Sequence, residues 1–339
     1  MRKRLIIDVH THFVPESLPA MAGRPGGDRW PVTKCVCGQA NHKHVMISGE
    51  KFRTITDQCW SPKRRIKDMD YENVGIQVLS PMPELLSYWF NAEDTLEFSR
   101  QINFQLSEFI KASPERFWGL GMVPLQDPEM AAKEIKRLKY DFGLLGVEVG
   151  TNINGRSIGD PFFDPFFAEV EAEGISVFIH ALHPIGNDRI VGPNFLSALI
   201  GFPTENALAV SSLITGGVLE KFPNLKIFVS HGGGTISTML PRLNNGWEMM
   251  EDFKKICPHP PSEYAKKIFY DTLVYDVQTL NYLIDLVGPS QLMIGSDYPF
   301  VIREKFPGHW LDALNISQEV KDNIRSHNAI KFFGKFSQF

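Results

Sequence analysis

The sequence predicts an α/β fold, a (β/α)8 TIM barrel with a small inserted loop or β region after its first strand. Short apolar segments rich in β-branched and aromatic residues recur along the 339 residues, alternating with amphipathic stretches of helical period. Strands and helices that alternate in one chain build a parallel sheet. Ionisable residues fall at the C-terminal ends of several of these segments, the end where such barrels assemble their sites.

The strands are read at Leu5–His10, Ile76–Pro81, Phe117–Pro124, Leu144–Gly150, Ser176–Ala181, Lys226–His231, Ile268–Thr272 and Leu292–Asp297. Between them lie helical stretches at Ala92–Lys111, Pro128–Tyr140, Phe162–Glu173, Leu196–Lys221 and Val277–Val287, with terminal helices in Gln318–Phe333. Asp127-Pro128, Gly174, Phe222-Pro223-Asn224 and Gly288-Pro289 mark the joints. Residues 14–60 break the rhythm. They are long and rich in Gly, Pro and Lys, which suits a lid or a small β excursion. Residues 1–339 are thus expected to form a single barrel domain carrying that insertion. An open doubly wound sheet is the alternative, but its first, fifth, sixth and eighth strands would not all reach one point.

Composition narrows the function. Hydrophobic residues make up 43% and charged residues 22%, the mix of a globular protein with a substantial core. Lys plus Arg total 35 against 39 Asp plus Glu, a formal charge of −4 that gives no global field for nucleic acid. No apolar run approaches the ~20 residues that span a bilayer, and Asp8 ends the first one far short of a signal-peptide core. Cys35, Cys37, Cys59 and Cys257 are too few for a disulfide framework and point to a reducing cytoplasm.

Four signals carry chemistry. In Asp8-Val9-His10-Thr11-His12 the two histidines stand two apart on a strand, so their rings share a face and offer two corners of a metal site. Ser176-Val177-Phe178-Ile179-His180 ends an apolar strand on an ionisable residue, which is costly without a partner or a task. His183 lies close enough in sequence to substitute for His180. Phe228-Val229-Ser230-His231 is followed by three glycines, which allow close backbone approach to a ligand or tight entry into a helix. In Ile294-Gly295-Ser296-Asp297 the aspartate offers a metal oxygen or a general base. Each alone has a structural explanation. Together, three histidines and an aspartate on four strand ends match a divalent-metal site with an open position.

This constellation resembles the amidohydrolase superfamily, and within it the decarboxylase branch typified by amino-carboxymuconate-semialdehyde decarboxylase. The likeness runs along nearly the whole chain. It includes Phe52-Arg53, Cys59-Trp60-Ser61-Pro62, Arg65-Ile66-Lys67-Asp68-Met69-Asp70, Ser87-Tyr88-Trp89, Val123-Pro124-Leu125-Gln126, Pro261-Ser262-Glu263-Tyr264 and Gly295-Ser296-Asp297-Tyr298-Pro299-Phe300. The resemblance implies non-oxidative decarboxylation of a small unsaturated or aromatic acid with one divalent cation, usually Zn2+, in a site that Mn2+ or Co2+ also suits. It makes His10, His12, His180 and Asp297 the ligands and His231 the acid/base beside them. It makes Arg53 and Arg242 anchors for substrate carboxylates, places Phe300 at the pocket, and suggests a homodimer in which Arg242 acts across the interface.

Departures from the pattern leave alternatives open. His180-Ala181-Leu182-His183-Pro184, Ala198 and Arg303 enlarge and recharge the pocket. Glu148 interrupts the apolar strand Leu144–Gly150 and is a candidate bridge for a second metal; with His180 and His231 it would favour hydrolysis of a cyclic amide, lactone or enol acid. A barrel that only binds ligand is a third possibility. Cys35, Cys37, His42 and His44 have poor zinc spacing and are read as a reduced loop. His259, His309 and His327 are read as surface or helix-end residues, and the Phe162-Phe163 and Phe166-Phe167 pairs as packing.

Overall fold

The computed structural model describes residues 4–335 other than Ala22 and Asn194. Strand β1 (Ile7–Phe13) is followed by three strands, β2 (Val32–Val36), β3 (Gln39–Ile47) and β4 (Glu50–Thr56), and then by helix α1 (Pro62–Glu72). Next come β5 (Ile76–Pro81), α2 (Ala92–Lys111), β6 (Phe117–Gly121), α3 (Pro128–Tyr140) and β7 (Gly146–Gly150). A small ribbon of β8 (Asn152–Ile153) and β9 (Arg156–Ser157) precedes α4 (Asp164–Glu173) and β10 (Ser176–His180). Then α5 (Phe202–Thr215), α6 (Val218–Lys221), β11 (Lys226–Val229), α7 (Ile236–Met249), α8 (Glu251–Ile256) and α9 (Pro261–Ala265) lead to β12 (Phe269–Asp271). The chain ends with α10 (Val277–Val287), β13 (Leu292–Met293), α11 (His309–Ala313), α12 (Gln318–Asp322) and α13 (Asn328–Phe333).

Eight of these strands pair in the order β1-β5-β6-β7-β10-β11-β12-β13, each junction parallel. The segment after β13 closes the circle. Val9 N–H donates to Ile294 C=O at 2.8 Å, Asp297 N–H to His10 C=O at 2.9 Å and His12 N–H to Tyr298 C=O at 2.7 Å. The buried Asp8 carboxylate fastens the same seam, accepting from Ser296 N–H at 3.0 Å and the Ser296 hydroxyl at 2.6 Å. The fold is therefore the expected barrel and not the open sheet. The eighth strand, Leu292–Met293, is shorter than the sequence suggests, and Asp297 beyond it turns into the left-handed region at φ 66°.

Helix starts follow ordinary capping chemistry. Ser61, Asn91, Asp127 and Asp276 each accept an N–H from the first turn of α1, α2, α3 and α10. The single helix read over Leu196–Lys221 is broken instead. A π-helical turn at Ser197–Gly201 runs into α5, and Gly217 at φ 74° separates α5 from α6. Residues 14–60 contain the three-stranded antiparallel sheet β2-β3-β4.

Alternate residues of the barrel strands fill its inside. Ile7, Val9, Ile76, Val78, Trp118, Leu120, Phe178, Phe228 and Met293 form a continuous buried cluster, with the Phe178 and Phe228 rings stacked at 4.3 Å. This plug is the floor on which the polar ends of the strands stand. Arg65 of α1 braces the end of β1 from outside. Fully buried, it donates to the carbonyls of His12 and Gln58, to Thr11 Oγ1 and to Gln77 Oε1. Arg65→Met is expected to lower unfolding free energy by about 3 kcal/mol or more, since several buried acceptors lose their donor. Denaturant titration with an unchanged slope checks it.

Candidate metal centre

Strand geometry assembles the centre. His10 and His12 project from one face of β1, His180 ends β10, and Asp297 follows β13 across the seam. All four are buried, and one ligand atom from each lies within 4.8 Å of the others. His10 Nε2 and His12 Nε2 are 3.1 Å apart. Asp297 Oδ1 is 3.1 Å from His12 Nε2 and 3.7 Å from His10 Nε2. The His180 ring lies 5.1 Å and 4.9 Å from those of His10 and His12.

Hydrogen bonds on the outer side of each ring settle where the lone pairs point. His10 Nδ1 sits 2.7 Å from Asp271 Oδ2, His12 Nδ1 3.4 Å from the Pro81 carbonyl, and His180 Nδ1 2.8 Å from the Ala181 carbonyl. These partners are acceptors, so each Nδ1 carries the proton and each Nε2 presents a lone pair inward. His180 Nε2 has no hydrogen-bond partner and is sealed from solvent. Three converging lone pairs beside a carboxylate repel one another until a cation stands among them. Nitrogen and oxygen donors of this number suit a divalent metal.

Burial and charge act together here. Burial pushes the His180 imidazole far below its ordinary range, and neighbouring His12 and His10 add to that. Burial alone would raise the Asp297 carboxyl, but its close approach to His12, with His10 and His231 nearby, brings it down to about 2. Burial likewise lowers His12, whereas at His10 the bond to Asp271 and its charge overcome burial and raise the imidazole.

Asp271 was not singled out in the sequence, yet it organises the site. One carboxylate oxygen takes His10 Nδ1–H; the pair together accept the N–H groups of His231 at 2.9 Å and Gly232 at 2.8 Å. It thereby aims a ligand and holds the left-handed turn at His231, φ 53°. A carboxylate closing the apolar segment Ile268–Thr272 was the available signal. Asp271→Asn is expected to weaken metal affinity by roughly 10–100-fold, measurable by competition with a chelator.

Other expected residues fall at varied distances. His231 is beside the cluster, its ring 5.2 Å from His10 and 5.1 Å from His180, and burial with neighbouring His10 pushes it down to about 4. Phe300 stacks on His12 at 5.0 Å, and Arg53 of β4 lies over Phe300 at 3.9 Å with its Nη1 buried and without a hydrogen-bond partner. The insertion thus delivers a guanidinium to the mouth. Arg242 is exposed on α7. Glu148 is buried in β7 with neither oxygen hydrogen-bonded; Ser80 is turned to the Thr11 carbonyl instead. Burial foremost, with the charges of Glu84 and Asp297, holds its carboxyl well above the usual range. Among the described residues it is not one of the four that share the 4.8 Å cluster.

Several subsidiary expectations resolve. His183 is exposed and packs on Trp89, leaving His180 as the cluster member. Arg303 pairs with Glu72 at 2.6 Å and does not recharge the pocket. Cys35 stands opposite Lys43, while His44 is opposite Lys34 and bonded to Thr54, so alternation puts them on opposite faces of the small sheet. Phe202, unnoticed in the sequence, stacks on His231 at 6.0 Å and meets His180 edge-on at 5.9 Å. The glycines after His231 serve packing: a Cβ at Gly234 would stand 1.8 Å from the Pro203 carbonyl oxygen.

Comparison with known proteins follows the same outline. The family model described as amidohydrolase matches residues 7–335. The 2-amino-3-carboxymuconate-6-semialdehyde decarboxylase of Dictyostelium discoideum is 35% identical over 337 residues, covering 98% of this chain and 92% of that protein. The crystal structure of 5-carboxyvanillate decarboxylase from Sphingomonas paucimobilis is similar with a TM-score of 0.80 at 25% identity, covering 97% of this chain and 98% of that one. A dihydroxybenzoic acid decarboxylase from Polaromonas sp., described with bound manganese and 2-nitroresorcinol, gives 0.76 at 22% identity over 98% and 97% of the two chains.

Proposed function

We infer the reaction from one premise: this chain belongs to the amidohydrolase family. It is a metal-dependent, non-oxidative decarboxylase of a small unsaturated or aromatic carboxylic acid. The observation that carries this is the inward-facing set of His10, His12, His180 and Asp297 beside a buried, partnerless guanidinium nitrogen of Arg53. Loss of carbon dioxide leaves electrons on carbon, and a bound divalent cation supplies the positive charge that accommodates them. Three nitrogens and one oxygen suit Zn2+, with Mn2+ and Co2+ as alternatives.

The chain's own residues do the rest. Arg53 receives the substrate carboxylate in a planar, charge-assisted pair, and Phe300 touches both that guanidinium and the His12 ring. His231 faces the reacting group from the side of α5 and α7. Glu148 stands outside the four-residue cluster, which favours one cation and decarboxylation over hydrolysis. Arg242 reaches the mouth of a second copy in a homodimer, a role its exposed place on α7 supports. The four cysteines are free, which supports a reducing compartment such as the cytoplasm, and no helix among the described residues is long and apolar enough to cross a membrane.

A carbon-dioxide-release screen over hydroxybenzoates, aminobenzoates and carboxymuconate semialdehydes tests the reaction: release without net water consumption supports it, and hydrolytic product without carbon dioxide contradicts it. Arg53→Ala is expected to raise KM at least tenfold with a smaller change in kcat, as steady-state kinetics on the best substrate will show.

A further inference from the structure

Four histidines meet at the mouth, and their hydrogen bonds divide them into two kinds. His10, His12 and His180 turn Nδ1 to oxygen acceptors. His231 turns its Nδ1 to Asn206 Nδ2 of α5, 2.9 Å away, and an amide nitrogen can only donate. The amide's orientation is fixed independently. Asn206 Nδ2 also lies 2.9 Å from the Ser230 main-chain carbonyl, which can only accept, and the Ser230 hydroxyl, 3.1 Å from Nδ2 and 3.3 Å from Oδ1, donates to Oδ1. Reversing the amide would set oxygen against oxygen. Its two N–H groups therefore go to the Ser230 carbonyl and to His231 Nδ1. The neutral ring must carry its proton on Nε2, the nitrogen on the side away from α5.

The backbone is built to bring these groups together. Gly234 lies so close to Pro203 that no side chain fits between, and Thr235 N–H donates to the Pro203 carbonyl at 3.1 Å. The His231 turn is thus seated on the first turn of α5, one turn before Asn206. Asn206 itself is fully buried.

We propose that Asn206 is a positioning residue that fixes His231 as the neutral Nε2–H tautomer, so that His231 acts on the substrate as a hydrogen-bond donor. This rests on the decarboxylase reading and changes the acid/base role expected of His231. A ring already protonated on Nε2 has no lone pair there to take a proton, and its Nδ1 is occupied. Giving up the Nε2 proton would leave an imidazolate. What remains is an N–H to offer to negative charge as it develops. The same tautomer leaves His231 Nε2 with no lone pair for a second cation.

Nitrogen NMR of histidine-labelled protein loaded with Zn2+ tests this, the His231 signals being identified by their loss in His231→Gln. The unaltered protein is expected to show a protonated Nε2 and a bare Nδ1. Asn206→Asp, isosteric and offering an acceptor, is expected to move the proton to Nδ1, and Asn206→Ala to give a mixture. Glutamine donates a hydrogen bond but carries no titrating proton, so His231→Gln should retain at least tenfold more kcat than His231→Ala. A protonated Nδ1 in the unaltered protein, or Gln no better than Ala, overturns the proposal. If no acid in the screen yields carbon dioxide, the decarboxylase reading fails while the NMR result still decides what Asn206 does.

Discussion

Asp297→Ala is expected to abolish tight metal retention and to lower carbon dioxide release more than about a thousandfold, the several kcal/mol a Lewis-acid cation supplies to the reaction. The side chain contributes the only anionic ligand of the four and stands 3.1 Å from His12 Nε2. Without it, three neutral imidazoles face a divalent charge whose hydration they must replace unaided. The fold should survive, because the seam beside it is made by main-chain bonds and by Asp8, not by the Asp297 carboxylate. Metal analysis after gel filtration, with circular dichroism as a control, reads both. A variant that keeps its metal stoichiometrically would place the cation elsewhere.

His231→Ala separates chemistry from metal binding. One cation should remain, because His231 is not among the four residues whose ligand atoms cluster. Removing an N–H preorganised toward developing charge costs on the order of 10²–10³ in kcat, with KM changed far less. The ring rests on Phe202 and is bonded to Asn206, while Asp271 holds the main-chain N–H, so the orientation is fixed before any substrate arrives. Full activity in this variant would remove His231 from the reaction.

The barrel and the four residues of the candidate metal centre were legible in the sequence for a shared reason. Interior strands of a parallel barrel are apolar, so His10, His12, His180 and Asp297 stand out against them. The same contrast marked Glu148, but it could not say whether a buried carboxyl is ionised. That depends first on how completely the fold buries it, and then on Glu84 and Asp297, brought close only by the fold. Asp271 ends the segment Ile268–Thr272 with the same contrast, but its role depends on His10 and His231, which only the fold brings to it. Asn206 and Phe202 were not legible. They lie in a helix whose broken start at Ser197–Gly201 no periodicity reveals, and their importance comes from Gly234 docking on Pro203. Arg53 was legible only through family resemblance, since nothing in Glu50–Thr56 foretells its place over Phe300.

Metal stoichiometry of the purified, active protein bears most directly on the centre itself. One divalent cation per chain, released together with activity on chelation and restored with it on re-addition, is the expected result. Two cations per chain, or full carbon dioxide release from metal-free protein, would contradict a single-ion site built from His10, His12, His180 and Asp297.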